Sequence, residues 1–304
     1  MTKGAGIDES FVKYLAGLLD ADGSLSFNFK RDLNRPDRYF LSLNLRLASS
    51  NAVDKHGFVV NLPKTYGIGS VSRYGKSSQF IAWNVSKRAD LEVLLPRIIK
   101  HMVIKAKHWQ WILDTWRETR AGRKTLSLEE REQLTLASSR SRRTNVGPLK
   151  PKNHPTWAWL AGYLDGDGTY SYRRYRVNGY IQWAIYVSAV AHINDILVLQ
   201  FLEKSFGGQI TDQGQSEGVK IWKRSLGYQN RDFALRFLPK LARHSRLKRH
   251  KIDAIIHHHR QRLSVPGTKR RYCEVEGCGR PRWGRGLCSM HYQRQRRAEV
   301  QATV

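Results

Sequence analysis

A nine-residue phrase occurs twice in this chain, and it constrains the fold more than any other feature. Leu15-Ala-Gly-Leu-Leu-Asp-Ala-Asp-Gly23 recurs as Leu160-Ala-Gly-Tyr-Leu-Asp-Gly-Asp-Gly168. Each copy reads as the end of a helix. Ser10 and Thr156 are N-cap residues standing just before Phe11 and Trp157. Phe11, Leu15 and Leu18 recur at helical spacing, as do Trp157, Leu160, Ala161 and Leu164. Gly17 and Gly162 sit in mid-helix, where glycine costs ~1 kcal/mol relative to alanine. Close approach of two helix backbones supplies the compensating reason. If the two helices pack on each other, both Asp-x-Asp-Gly turns arrive side by side at one end.

The segments after each phrase also match. Ser24–Lys30 alternates, with Leu25, Phe27 and Phe29 on one face and Ser24, Ser26, Asn28 and Lys30 on the other. In the run 40–47, Leu41, Leu43, Leu45 and Leu47 oppose Ser42, Asn44 and Arg46. Period-two alternation predicts a sheet with one wet face. A helix is expected over about 51–66, strands over 69–75 and 79–86, an amphipathic helix on Leu91, Leu94, Leu95, Ile98 and Ile99, and a last helix over about 103–118. The second half repeats the order. Strands are expected near 169–175, 180–188, 208–213 and 218–225, with helices near 194–206, 233–241 and 247–262. Between the halves, 125–143 predicts a helix, and three prolines within 145–155 predict a linker. Trp109, Trp111 and Trp116 are expected on the core or linker, and His257-His-His259 on a solvated basic face.

At 304 residues there is room for two domains with cores of their own. The 53 Lys and Arg against 25 Asp and Glu give a formal charge of +28, which opposes compaction unless a polyanion is bound. Nucleic acid is the expected partner rather than a membrane, since no apolar run reaches the ~18 residues of a span. Met1–Gly6 lacks an apolar signal core, and Asp8 and Glu9 argue against a transit peptide, so an intracellular location is expected.

Two acidic turns stand out against so basic a background. Carboxylates ~5 Å apart repel by ~3 kcal/mol at an effective dielectric of 20. A cation relieves this, and an all-oxygen donor set with no nearby Cys or His suits Mg²⁺ or Mn²⁺. Such ions support phosphodiester hydrolysis.

The paired phrases resemble the motif of the LAGLIDADG homing endonucleases in their single-chain, two-repeat form, over about residues 8–262. The resemblance implies an α+β fold of two pseudo-symmetric αββαββα lobes, with antiparallel sheets forming a saddle over the DNA major groove. It implies a first lobe at 8–120, an inter-lobe linker at 121–155 and a second lobe at 156–264. It further implies that Asp22 and Asp167 ligate Mg²⁺ or Mn²⁺, that Ala21 and Gly166 offer backbone carbonyls, and that Asp20 and Asp165 are structural. Lys105 and Lys248 match the basic residue that assists the transition state. Ser49 and Ala189 stand where many members carry a glutamine. The wet faces become the DNA-reading surface: Ser24, Ser26, Asn28, Lys30, Ser42, Asn44 and Arg46 on one half-site; Thr169, Ser171, Arg173, Gln182 and Tyr186 on the other. The expected activity is that of a monomeric, metal-dependent, site-specific endonuclease cutting both strands of a long asymmetric target to leave short 3′ overhangs. The alternative is an intron RNA maturase on the same fold, with host intron RNA as partner. The location implied is a DNA-containing compartment: bacterial or phage-infected cytoplasm, or an organelle. An intron-encoded or free-standing gene is favoured over an intein.

A second signal lies at the C-terminus. Cys273-x4-Cys278-x9-Cys288-x2-His291 gathers every cysteine of the chain into a closed four-ligand set suited to structural Zn²⁺. A segment this short needs such a staple. Residues 269–299 carry nine Lys or Arg against three Glu, so the module at 268–299 is expected to add phosphate contacts through Arg280, Arg282 and Arg285. It resembles, more weakly, zinc modules appended to phage and intron-encoded nucleases.

Overall fold

The computed structural model describes residues 7–54, 56–121, 125–149, 155–177, 180–192, 196–212, 219–226, 231–264, 273–278, 280, 282–283 and 285–301. They fall into two compact units, Met1–Ile255 and Ile256–Val304.

In the larger unit the chain runs α1 (Glu9–Asp22), β1 (Gly23–Arg31), β2 (Tyr39–Ser50), α2 (Phe58–Tyr66), β3 (Ser70–Tyr74), β4 (Phe80–Val85), α3 (Arg88–Ile99) and α4 (Ala106–Ala121). After α5 (Leu128–Thr144) the order repeats: α6 (Trp157–Gly166), β5 (Gly168–Val177), β6 (Tyr180–His192), α7 (Ile196–Phe206), β7 (Gln209–Asp212), β8 (Val219–Leu226), α8 (Arg231–Ala242) and α9 (Arg249–Ser264), the last of which begins in this unit and ends in the smaller one. The two antiparallel sheets have one topology, β1-β2-β4-β3 and β5-β6-β8-β7. This is the α+β pattern that the repeat predicts.

The alternation of β1 and β2 puts Leu25, Leu41, Leu43, Leu45 and Leu47 in the core and leaves Ser24, Ser26, Asn28 and Lys30 exposed. Register pairs Ser24 with Arg46, Ser26 with Asn44 and Asn28 with Ser42, so the polar residues share one face. Trp83 of β4 fills the first core, its indole N–H donating to the Ile68 carbonyl at 2.9 Å. Trp222 of β8 does the same toward Gly207 at 3.0 Å. Trp109 and Trp116 are buried as expected, while Trp111 is half-buried and edges onto Phe27.

Two boundaries differ from the sequence reading. The cap of α1 is Asp8, not Ser10: its carboxylate accepts from the Phe11 N–H at 3.3 Å, and Ser10 lies within the helix. Both residue types cap well, so composition alone does not choose between them. Residues 51–53 form a turn, and α2 starts only at Phe58. There Asp54 accepts from the Val59 and Val60 N–H groups at 3.1 and 3.4 Å, and Gly57 takes φ +68°. Thr156 caps α6 as expected, accepting from Trp159 N at 3.2 Å.

The helix seam depends on glycine. A Cβ on Gly17 would land on the carbonyl of Trp159, and one on Gly162 on the carbonyl of Tyr14. The helices α1 and α6 therefore touch backbone to backbone, side by side through their middle turns. Among the described residues no helix is long and apolar enough to cross a membrane.

Candidate active site

The seam brings together the two acidic turns. A Cβ on Gly166 would lie 2.9 Å from Oδ2 of Asp22, so the carboxylate of the first motif lies against the backbone of the second. Asp22 and Asp167 are both exposed to solvent by surface area, yet the surrounding protein is dense enough to desolvate them. Burial and then the neighbouring Asp167 push the Asp22 carboxyl up to about 6. Burial also raises Asp167, opposed by Lys105 and then Lys248.

The first aspartate of each motif has different work. Asp20 is buried and accepts from the backbone N–H groups of Val103 (2.7 Å) and Lys105 (2.9 Å) and from the Trp159 indole (2.8 Å). Asp165 accepts from Arg246 N (2.8 Å), Leu247 N (3.0 Å), Lys248 N (3.2 Å), Ser245 Oγ (2.6 Å) and the Tyr14 hydroxyl (2.8 Å). Burial pushes Asp20 up, while these N–H donors hold it down. Each carboxylate thus docks the turn that precedes the last helix of its own half. Each also takes one donor from the other half, the Trp159 indole or the Tyr14 hydroxyl.

That docking aims two lysines. The Lys105 ammonium donates to the carbonyls of Leu19 (3.1 Å), Ala21 (3.0 Å) and Gly23 (2.9 Å). The Lys248 ammonium donates to Leu164 (3.1 Å), Gly166 (2.7 Å) and Gly168 (2.7 Å). Burial lowers the pKa of both, opposed for each by Asp22, Asp167 and the first aspartate of its own motif. Between the two lysines, Asp22 feels Lys248 more strongly and Asp167 feels Lys105 more strongly. Ala21 and Gly166 do present carbonyls here, each engaged by a lysine with one lone pair left over.

The chain between the halves is tied to the same spot. Gly147 N donates to the Ile104 carbonyl at 2.7 Å, and Ser141 Oγ of α5 meets His108 Nδ1 at 3.1 Å. Burial, with Arg142 and Lys105 nearby, pushes His108 down to about 4, so it is neutral at pH 7.

On the polar sheet face, Ser42 Oγ donates to the Asn28 carbonyl, and the Arg46 guanidinium lies 4.4 Å from the centre of the Tyr74 ring. Thr169 is exposed; Ser171 and Tyr186 are half-buried and paired in register. The side chains of Arg173 and Gln182 lie outside the described ones. The ladder also corrects one alignment. Gly23 pairs with Leu47 and Gly168 with Ala189, so Ala189 is the buried counterpart of Leu47, and Ala191 matches Ser49.

Sequence reasoning missed the cross-seam donors Tyr14 and Trp159. Their signal was present, since both stand one residue before Leu15 and Leu160. The strands β3 and β4 were expected, but not as part of the polar face, which Asn84 extends by donating to Ser72 Oγ at 2.9 Å.

In the smaller unit, the ligand atoms of Cys273, Cys278, Cys288 and His291 all lie within 4.8 Å of one another. Cys278 and Cys288 Sγ are 3.7 Å apart, and His291 Nδ1 is 3.2 Å from Cys273 Sγ and 3.6 Å from Cys288 Sγ. A tetrahedron with Zn–S ~2.3 Å and Zn–N ~2.0 Å has edges of about 3.5–3.8 Å, so the donor set fits. His257 is exposed and His258 half-buried, and the side chain of His259 lies outside the described ones.

Similarity to solved structures decides what architecture this is. The I-GzeII LAGLIDADG homing endonuclease in complex with its DNA target superposes with a TM-score of 0.62 at 14% identity, covering 86% of this chain and 94% of that one. The chain has the LAGLIDADG homing endonuclease fold. I-SmaMI bound to cleaved DNA gives 0.59 at 16% identity, over 88% of this chain and 95% of that one. I-SmaMI bound to uncleaved DNA in the presence of calcium ions gives 0.55 at 17% identity, over 83% and 93%. No protein-family model and no curated protein matches the sequence. In a LAGLIDADG fold the paired motif helices and the two sheets described above are the expected parts.

Proposed function

We propose that this protein is a site-specific endonuclease that hydrolyses both strands of duplex DNA, with Asp22 and Asp167 as its metal-binding carboxylates. One observation carries the reading: two matched Asp–Lys sets meet at a single helix seam, where a Cβ on Gly166 would lie 2.9 Å from Asp22 Oδ2 and each lysine ammonium is held on the carbonyls of its own motif. Two strands of opposite polarity call for two such sets related by a pseudo-two-fold axis. The structural neighbours are described as DNA-bound, one with cleaved DNA and one with calcium, which supports the same partner and a divalent cation.

The residues fit a hard cation. The donors are carboxylate and carbonyl oxygens, and the Asp22 carboxyl is pushed up by burial and then by the neighbouring Asp167, both of which a bound cation offsets. Asp22, Asp167 and the free lone pairs of Ala21 and Gly166 would hold it. Bound there, Mg²⁺ or Mn²⁺ supplies charge neutralisation for phosphodiester hydrolysis. Lys105 and Lys248 bring ammonium groups to the site, held on the carbonyls of Ala21 and Gly166. Asp20 and Asp165 hold those lysines in place through the turns they dock. The unlike side chains of the two polar sheet faces suit a long, asymmetric target read along the major groove, with cuts leaving short 3′ overhangs. Cys273, Cys278, Cys288 and His291 hold structural zinc, and their module adds contacts to DNA. The domain limits 8–120, 121–155, 156–264 and 268–299 follow from this division of labour.

The test is Asp22→Asn with Asp167→Asn. Cleavage of a library of random duplex targets should vanish while binding in Ca²⁺ persists. Continued double-strand cutting by the pair would refute the assignment.

A further inference from the structure

The smaller unit holds a feature that neither the zinc site nor the sheet faces explain. Trp283 is 62% exposed, the most exposed tryptophan among the described residues. Burying an indole stabilises a fold by a few kcal/mol, so a small module that leaves one in water forgoes much of its apolar core. The ring is nonetheless held in place. Trp283 N donates to the Leu287 carbonyl at 2.6 Å, and the edge of Tyr292 meets the ring at 5.3 Å with the planes 69° apart. The intervening turn is tight, with Arg285 at φ +47° and Gly286 at φ +86°, and Cys288 anchors its far side.

The charge around it is sorted. Arg282 pairs with Glu274 at 3.3 Å and Arg285 with Glu299 at 3.4 Å, while Arg280 lies on the Met290 sulfur. These are the arginines the sequence nominated, and two of them are neutralised within the module. The helix α10 (Ser289–Gln301) carries Arg294, Arg296 and Arg297, which make no ion pair among the described residues. Arg296 lies one turn beyond Tyr292, on the helix face that Trp283 touches. A held, exposed indole with the unpaired Arg296 guanidinium on the same helix face, in a module whose helix also carries Arg294 and Arg297, matches a polyanion with aromatic faces.

We infer that Trp283 is a base-contacting wedge: it stacks on a nucleobase at an opened step of duplex DNA while Arg296 holds a flanking phosphate. The inference rests on DNA being the partner proposed above, but not on cleavage. A stacked base adds affinity with little dependence on sequence, and an aromatic wedge opens a base step from the groove.

The full-length zinc-loaded protein should be tested in Ca²⁺ on a random-sequence duplex by fluorescence anisotropy across a salt series. Trp283→Ala should weaken binding about 5-fold to 150-fold, the range produced by losing one base–aromatic stack, at an unchanged salt slope. Trp283→Phe should recover part of that loss. Arg296→Ala should instead flatten the slope by about 1, at ~0.9 per phosphate contact. In protein labelled with 5-fluorotryptophan, the resonance missing from Trp283→Phe should shift on adding DNA. Binding by Trp283→Ala within twofold of wild type with zinc retained, a resonance that stays put, or tighter binding to single strands than to duplex would each overturn the wedge. If Trp283→Ala sheds zinc, Trp283→Phe and the resonance decide. Cleavage surviving in the Asp22/Asp167 double variant would sink the nuclease site and leave this result standing.

Discussion

Gly162→Ala tests the seam on which everything else is built. The added methyl would fall on the Tyr14 carbonyl and crowd Leu18 N, so α1 and α6 must move apart. Overpacking of this kind costs about 1–3 kcal/mol. The separation also stretches the Trp159–Asp20 and Tyr14–Asp165 hydrogen bonds, both 2.8 Å long and both to buried carboxylates. Bonds to charged groups contribute roughly 1.5–3 kcal/mol each, and losing half of that from the pair adds about 1.5–3 kcal/mol. Alanine returns about 1 kcal/mol through helix propensity. The net loss is about 2–5 kcal/mol, or roughly 5–20 °C in Tm for a unit of this size. Calorimetry reads it directly, with Lys13→Ala on the same helix as control. Cleavage should fall further than stability at temperatures where the variant is folded, since the seam also sets the distance from Asp22 to Gly166. A Gly162→Ala protein as stable as wild type would show that the helices do not meet backbone to backbone, and the close pairing of the two acidic turns would fall with it.

Other outcomes follow from the same geometry. Lys105→Met leaves three carbonyls without their donor and removes a fixed charge, so cleavage should drop by at least a hundredfold while binding to duplex in Ca²⁺ changes little; an active Lys105→Met enzyme would exclude the lysine from the site. Asp20→Asn cannot serve all its N–H donors as a carboxylate does, and should lower stability by about 2–4 kcal/mol in denaturant unfolding; a neutral effect would deny it the docking role. The Asp22 pKa is raised in the folded protein, from 3.8 to about 6. The native state therefore binds more protons than the unfolded chain between about pH 4 and 6, and stability without active-site metal should decline as pH rises through that window, then level off. Asp22→Asn should reduce this slope in Tm measured against pH, leaving the part that the raised Asp167 contributes. Cation affinity should run the other way and weaken about tenfold per unit below pH 6. Stripping the smaller unit with a strong chelator should release about one zinc per chain and unfold α10, seen as lost ellipticity; release of none would leave the four-ligand cluster without its metal.

Much of this was legible in the residues. The doubled phrase set the order of elements, and Gly17 and Gly162 announced a backbone contact because nothing else repays glycine in mid-helix. The alternation of Leu41 through Leu47 fixed which face is wet. Asp20 and Asp165 were expected to be structural, but not what they hold, since their partners in their own halves lie 80 to 85 positions away and leave no local pattern. Tyr14 and Trp159 look like ordinary core aromatics until the seam places a buried carboxylate against each. The cap of α1 was misplaced by two residues because Asp8 and Ser10 are equally good acceptors. The pairing of Arg282 and Arg285 with Glu274 and Glu299 was also hidden, as it depends on how a short, metal-stapled turn folds back.

The exchange of donors across the seam has an evolutionary and engineering corollary. Neither half meets the needs of its own innermost carboxylate: Asp20 waits for an indole from downstream, and Asp165 for a phenol from upstream. A lobe transplanted into a hybrid nuclease would carry that unmet demand with it. Chimeras that transfer Tyr14 or Trp159 together with the matching acceptor should assemble, and those that separate them should not.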